Sequence, residues 1–282
     1  MTLSAEVAEW PVGTVAVAVL GPSGVLERFD TRPGTTFAWA SVTKIVTALT
    51  VLDACADGTV ALADPVPLDL PAAGEAPHPS GITVAHLLAH AAGLPFERGA
   101  PVAPPGTRRT YSNYGYELLG DHLADAAGGP LRDELAGRVL EPLSMSTATV
   151  DGSPASSGAG TLDDLLALAG ELLSPTVLGP EILAWASTLA FPGLSGILPG
   201  FGRQISNDWG LGCEIRDSKT PHWTSPDNSP ATFGHFGQSG SFLWVDPVAR
   251  LACAGLSDTP FGPWAALAWP RLSTAVLQTY GA

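Results

Sequence analysis

Ser41 and Lys44 stand three residues apart in WASVTK (residues 39–44), and the chain has only one other lysine, Lys219. A serine hydroxyl attacks a carbonyl only when something removes its proton. On a helix, side chains three apart share a face, with Cβ atoms roughly 5–6 Å apart, so an amine at position 44 reaches a hydroxyl at position 41. Residues 45–56 are mostly apolar. A lysine desolvated among them loses part of its preference for the charged form and can act as a base. A helix start also presents free backbone N–H groups to an oxygen that develops negative charge. The pair has a plainer account as well: Ser41 as an ordinary N-cap and Lys44 as a solvated residue one turn on.

Two further segments carry polar residues at turns. YSN (residues 111–113) follows the loop APPGTRRT and precedes a helical pattern, and HFG (residues 235–237) enters a strand pattern. Taken singly, Tyr111 reads as an interface aromatic, Asn113 as the cap of a helix starting at Tyr114, and His235 as a turn histidine.

These residues need elements to hold them. Residues 14–20 and 25–29 flank GPSG and predict a β-hairpin. A helix follows over about residues 41–56 and ends at Asp57-Gly58. Residues 59–190 carry mainly the helical apolar period, over 83–93, 114–128, 131–143 and 161–173. The last of these opens on a Thr161 cap with Asp163 and Asp164 in its first turn. Strands return after Pro199, over residues 208–216 and as a hairpin in 240–258 turning at Asp246-Pro247, and a final helix lies within 263–279. The order predicts an α+β fold: an antiparallel sheet flanked by helices, built from both chain ends, with an all-helical domain inserted. Residues 1–58 and 200–282 form the sheet domain, residues 59–199 the helical domain, and the active-site cleft lies between them.

Composition excludes other classes. The 282 residues carry a net charge of −14, which argues against a nucleic-acid partner and against docking on an anionic membrane. The apolar run at residues 14–20 is too short to span a bilayer. The N-terminal segment holds Glu6 and Glu9 without lysine or arginine, unlike a signal peptide, and predicts a cytoplasmic protein. Cys55, Cys213 and Cys253 lack metal spacing and read as buried small hydrophobes in a reducing compartment. His86 and His90 sit four apart with no third ligand, so no metal site is expected.

Ser-x-x-Lys, then Tyr-x-Asn, then His-x-Gly entering a strand, in this order, resembles the serine β-lactamase and penicillin-binding protein superfamily. The tyrosine form of the second motif is similar to that of class C β-lactamases, D-Ala-D-Ala carboxypeptidases and related esterases. TVAHLLAHAAGLP, PPGTRRTYSNYGYELLG and EPLSM resemble segments of the same relatives, so the likeness spans nearly the whole chain. It implies that Ser41 becomes acylated and that Lys44 and Tyr111 transfer protons. A neighbouring ammonium would favour the Tyr111 phenolate, which would then take the serine proton. Asn113 would hold Lys44 and the substrate amide. The oxyanion hole would be the backbone N–H groups of Ser41 and Gln238, and Gly237 would let substrate lie close to its strand. Trp39 and Trp244 are candidates for the acyl-pocket wall. No cofactor is implied, and the partner is a small ester, amide or lactam.

The third motif departs from the Lys-Thr-Gly of β-lactamases, whose first two residues meet a substrate carboxylate. Here His235 is largely neutral at pH 7 and Phe236 offers no hydrogen bond. Arg203 would supply a replacement charge if its loop folds over the cleft. The expected activity is hydrolysis of a small ester or amide through an acyl-enzyme. The alternatives are a D-amino-acid peptidase or weak β-lactamase, and a slow or unreactive sensor domain.

Overall fold

A computed structural model describes residues 3–68 and 81–281. Residues 69–80 of the predicted helical domain lie outside the described residues. Six strands form one antiparallel sheet: β1 (Val15–Gly21), β2 (Gly24–Asp30), β3 (Glu214–Ile215), β4 (Phe233–Gly237), β5 (Ser241–Asp246) and β6 (Leu251–Ser257). Their order is β2-β1-β6-β5-β4-β3. The first hairpin therefore joins the last through β1 and β6, with Val17 opposite Gly255. The helices are α1 (Leu3–Val7), α2 (Thr43–Ala56), α3 (Val84–Leu88), α4 (Asn113–Ala127), α5 (Leu131–Leu135), α6 (Leu162–Leu173), α7 (Pro180–Ser187) and α8 (Pro263–Tyr280). None among the described residues is long and apolar enough to cross a membrane.

Strand side chains alternate between faces, and both faces of this sheet are apolar. Ala16, Ala18 and Leu20 of β1 join Leu243, Val245, Ala252, Ala254 and Leu256 in one core. Val15, Val17 and Val19 join Phe242, Trp244, Leu251 and Cys253 in a second core on the other side. Helices must then cover both faces, which is why the strands read as near-continuous apolar runs. The second core is closed by Leu3 and Val7 of α1 and by Ala265, Trp269, Leu272 and Val276 of α8.

α2 and α6 contribute to the first core. α6 falls within residues 59–199, which the sequence assigns to the helical domain, yet it packs on β1, β5 and β6. Its apolar residues Leu165, Leu168, Ala169 and Leu172 are buried there, because a sheet face this wide needs a second helix to exclude water. Three other predicted elements are shorter than their patterns: the helix over residues 131–143 is α-helical only as α5 and continues as a π-helical turn over Ala136–Leu140. The helical period of residues 83–93 survives as α3 alone, since the chain turns at His90 (φ 54) and Gly93 (φ 72). Ala91, Ala92 and Leu94 are buried in the core as a loop, which mimics helical periodicity. The strand predicted over 208–216 keeps only β3, because Gly212 at φ 116 interrupts it.

Candidate active site

Ser41 lies on a single 3-10 turn, Ala40–Val42, that runs into α2. Neither helix start uses a side-chain cap, so the Ser41 hydroxyl is not spent on capping. Ala40 is left-handed at φ 44, a conformation costing a non-glycine residue about 1 kcal/mol. The surroundings impose it. Trp39 N–H donates to Gly158 O at 2.7 Å, Ser241 Oγ to Trp39 O at 2.6 Å, and Thr43 Oγ1 to Ala40 O at 2.5 Å.

Gly237 of β4 packs flat against this turn. A Cβ at position 237 would stand 2.3 Å from Trp39 O and 2.4 Å from Ser241 Oγ. Its missing side chain therefore makes room for the backbone leading into Ser41, a second role beside the room for substrate that the sequence predicts. Gly237→Ala should force β4 away from Ser41 and slow covalent labelling of Ser41 by about 10–100-fold. Labelling kinetics, read beside a thermal melt to confirm folding, check this. The backbone N–H groups of Ser41 and Gln238 have no hydrogen-bond partner among the described residues, and both residues line the same cleft.

Lys44 is fully buried. Its Nζ lies 2.7 Å from Asn113 Oδ1, 2.8 Å from Ala155 O and 3.4 Å from Ser41 Oγ. Burial pulls its pKa from 10.5 to about 7, opposed by the carboxylates of Glu117 and Glu97. A neutral amine has two N–H donors and one lone pair. The two carbonyl oxygens can only accept, so they take both hydrogens, and the lone pair is left for the Ser41 hydroxyl.

Tyr111 stacks its ring near His90, Trp209 and Phe96, and Lys44 Nζ stands 4.8 Å from its centroid. Its hydroxyl lies 3.5 Å from His235 Nε2. Burial raises the phenol well above its usual value and outweighs the opposing influence of the nearby Ser41 side chain. The phenolate expected from sequence is therefore disfavoured at rest, and Lys44 is the group brought to neutrality. His235 Nδ1 lies 2.7 Å from Phe236 O. That contact fixes the proton on Nδ1 and leaves Nε2 to accept from Tyr111. Burial, with Lys44 nearby, lowers the His235 pKa to about 3, so its ring is neutral.

α4 begins at Asn113, one residue before the predicted start, with Ser112 as its cap: Ser112 Oγ accepts from Gly115 N–H at 2.9 Å. The Asn113 side chain is thereby freed for Lys44. Two residues that sequence reasoning did not place here support the motif. The ring of His90 lies behind Tyr111, and its Nδ1 accepts from Ser112 N–H at 3.2 Å. Arg109 is buried with its guanidinium on the carbonyls of Ala89, Ala190, Phe191 and Asn207. The helical spacing of His90 from His86 hid the first, since His86 instead stacks on Phe191 and bonds to Thr83. Nothing local distinguishes Arg109 from Arg108.

The cleft holds about 440 Å³ and its walls include Phe96, Trp209, Trp223, Ile197 and Leu198. Trp39 and Trp244, expected as its walls, are buried in the two cores instead. Phe236 is buried with Phe261 and Trp269 close by. Arg203 borders a smaller adjoining cavity and not the main cleft.

Comparison with known proteins follows this geometry. Over its full length the chain is 45% identical to the crystal structure of a beta-lactamase from Mycobacterium bovis, covering 100% of each chain at a TM-score of 0.91. EstCE1, a hydrolase with promiscuous acyltransferase activity, shares the fold at 18% identity, TM-score 0.77 and 96% of each chain. Among curated proteins it is 30% identical over 177 residues to the D-alanyl-D-alanine-carboxypeptidase/endopeptidase AmpH of Escherichia coli. That match covers 50% of this chain and 46% of AmpH, so the chain spans about half the length of the curated relatives it matches. A family model described as Beta-lactamase matches residues 11–277. The ordered motifs, the sheet built from both chain ends and this match agree: the chain belongs to the beta-lactamase family.

Proposed function

We propose that this protein hydrolyses a small ester, and more slowly a small amide or lactam, through an acyl-enzyme on Ser41. One observation carries the reading: a buried lysine with a pKa near 7 has both N–H groups held by carbonyls and its third partner is the Ser41 hydroxyl. A base whose pKa matches the working pH is the efficient one.

Ser41 Oγ attacks the carbonyl carbon while its proton passes to Lys44 Nζ. The new oxyanion accepts from the N–H groups of Ser41 and Gln238. As the carbon–oxygen bond to the leaving group breaks, Tyr111 gives that oxygen its phenolic proton and regains one from the Lys44 ammonium. Water enters in place of the leaving group and runs the sequence in reverse, with Lys44 taking its proton. Asn113 keeps the amine aimed. Residues 1–58 and 200–282 supply Ser41, His235 and Gln238, while the helical part supplies Phe96 and Tyr111, so the cleft runs between the two.

Preference for esters rests on the third motif. His235 is held neutral and the Phe236 ring on the cleft wall carries no polar atom, so that strand offers a substrate carboxylate neither charge nor hydroxyl. A second reading, a D-amino-acid peptidase, is favoured by the activity named for AmpH. A cytoplasmic location also belongs to this proposal; the three cysteines are free, in keeping with a reducing compartment.

A fluorophosphonate probe should add its mass to wild-type protein and not to Ser41→Ala. Short-chain 4-nitrophenyl esters should turn over faster than nitrocefin or D-Ala-D-Ala peptides. Absence of labelling would leave a binding domain, and the opposite ranking would assign the peptidase or lactamase activity.

A further inference from the structure

Positive charge is scarce here and unevenly spent. Against a net charge of −14, Arg28, Arg132, Arg138 and Arg271 pair with carboxylates. Arg109 and Arg216 are held by backbone carbonyls. Arg108 and Arg203 have no hydrogen bond or ion pair among the described residues. Both line one cavity of about 330 Å³, whose other walls are Ser195, Gly196 and Ile197. Arg108 and Ile197 also line the 440 Å³ cleft that holds Ser41, so the two cavities adjoin.

The backbone that carries the two guanidiniums is fixed. Arg109 N–H donates to Ser195 O at 3.0 Å, and the Arg109 side chain is anchored on four carbonyls. Gly196 lies so close that a Cβ there would stand 2.3 Å from Arg109 O. Arg203 sits opposite Ile197 on the hairpin formed by Gly196–Leu198 and Gly202–Gln204. Among the described residues, no carboxylate lines the small cavity. The acidic residue on the main cleft wall, Glu214, is already neutralised: Lys219 Nζ, His222 Nε2 and Trp223 Nε1 donate to it at 2.5, 3.0 and 2.9 Å. Two like charges thus face one cavity with no counter-charge among the described residues that line it, and a guanidinium fork fits a planar carboxylate.

We propose that the cavity between Arg108 and Arg203 binds a carboxylate of the substrate. The substrate class is then an ester or amide with an apolar body for the Phe96–Trp209 cleft and an acidic end on one of its two arms. This rests on Ser41 chemistry for its catalytic meaning, while the anion subsite is testable without it.

Binding comes first, measured by calorimetry on Ser41→Ala protein with hexanoate and with hexanamide, its uncharged counterpart. Hexanoate should bind about tenfold tighter, and the advantage should vanish in Ser41→Ala carrying Arg108→Gln and Arg203→Gln. Equal affinities, or an advantage that survives both substitutions, would overturn the proposal. Kinetics come second, comparing 4-nitrophenyl hexanoate with the 4-nitrophenyl half-ester of adipate and with 3-carboxy-4-nitrophenyl hexanoate. The last two place the acid on the acyl and leaving arms. One of them should exceed the neutral ester in kcat/KM by about tenfold at low salt, with less advantage in high salt. The double arginine variant should lose about tenfold more on that ester than on the neutral one. If the neutral ester outruns both acids, the subsite does not serve catalysis and the proposal falls. If hexanoate binds as expected but no ester turns over and no probe labels Ser41, the hydrolase reading fails and the anion subsite stands.

Discussion

Lys44→Met should lower kcat for ester hydrolysis by about 10³–10⁴-fold while leaving the fold intact. Methionine fills a similar volume without a nitrogen, so Ser41 loses the group that takes its proton. The wild-type pH profile should identify that group. With the Lys44 pKa at about 7, kcat/KM should fall about tenfold per pH unit below 6 and level off above 8. His235, at about 3, cannot produce that limb.

The same substitution has a stability signature with a definite sign. The folded amine has a pKa near 7 against 10.5 for a free lysine, so burial costs the charged form on the order of 4–5 kcal/mol. Below pH 7 both folded and unfolded chains bind the proton and the whole cost is present. Between pH 7 and 10.5 only the unfolded chain holds it, so wild-type stability rises with pH. Removing the amine strands the Asn113 and Ala155 oxygens at about 1 kcal/mol each, less than the cost relieved. Lys44→Met should therefore melt above wild type at pH 6, with the gap closing toward pH 10. A gap that does not depend on pH would mean that Lys44 is not desolvated.

Tyr111→Phe should cost about 10²–10³-fold in kcat for alkyl esters. The ring keeps its contacts with His90, Trp209 and Phe96, so the loss belongs to the hydroxyl. If the phenol protonates the leaving group, an ester whose leaving group departs readily as an anion should lose far less. The pH inflection near 7 should persist, because Lys44 remains. Loss of that inflection in Tyr111→Phe would instead make the tyrosine the base.

Much of the site was legible because its parts are local. Ser41 and Lys44 are one turn apart, and Tyr111 and Asn113 flank the Ser112 cap, so each pair is a short motif, and the order of the motifs, through their resemblance to the family, singles them out. Sheet strands were equally plain, being apolar on both faces, and Thr161 caps α6 as its sequence suggests. What stayed hidden depends on residues far apart in sequence. Ala155 O accepts from Lys44 across 111 positions, and any residue offers a carbonyl. Gly237 meets Trp39 O only because β4 crosses the turn that carries Ser41. His90 looked like half of a helical pair until the chain turned at that residue.

By itself, the sequence determined which groups are available for chemistry, the order of strands and helices, and the family whose motifs it carries. These follow from periodicity and short spacing, which act within a few residues. Only the tertiary structure favours one of those groups over the other as the proposed base. Burial is a property of everything packed around an atom, and it moves the amine of Lys44 down toward neutrality and the phenol of Tyr111 up. It also decided that Arg109 is locked inward while Arg108 stands free beside the cleft, a difference that two adjacent identical residues cannot express in sequence.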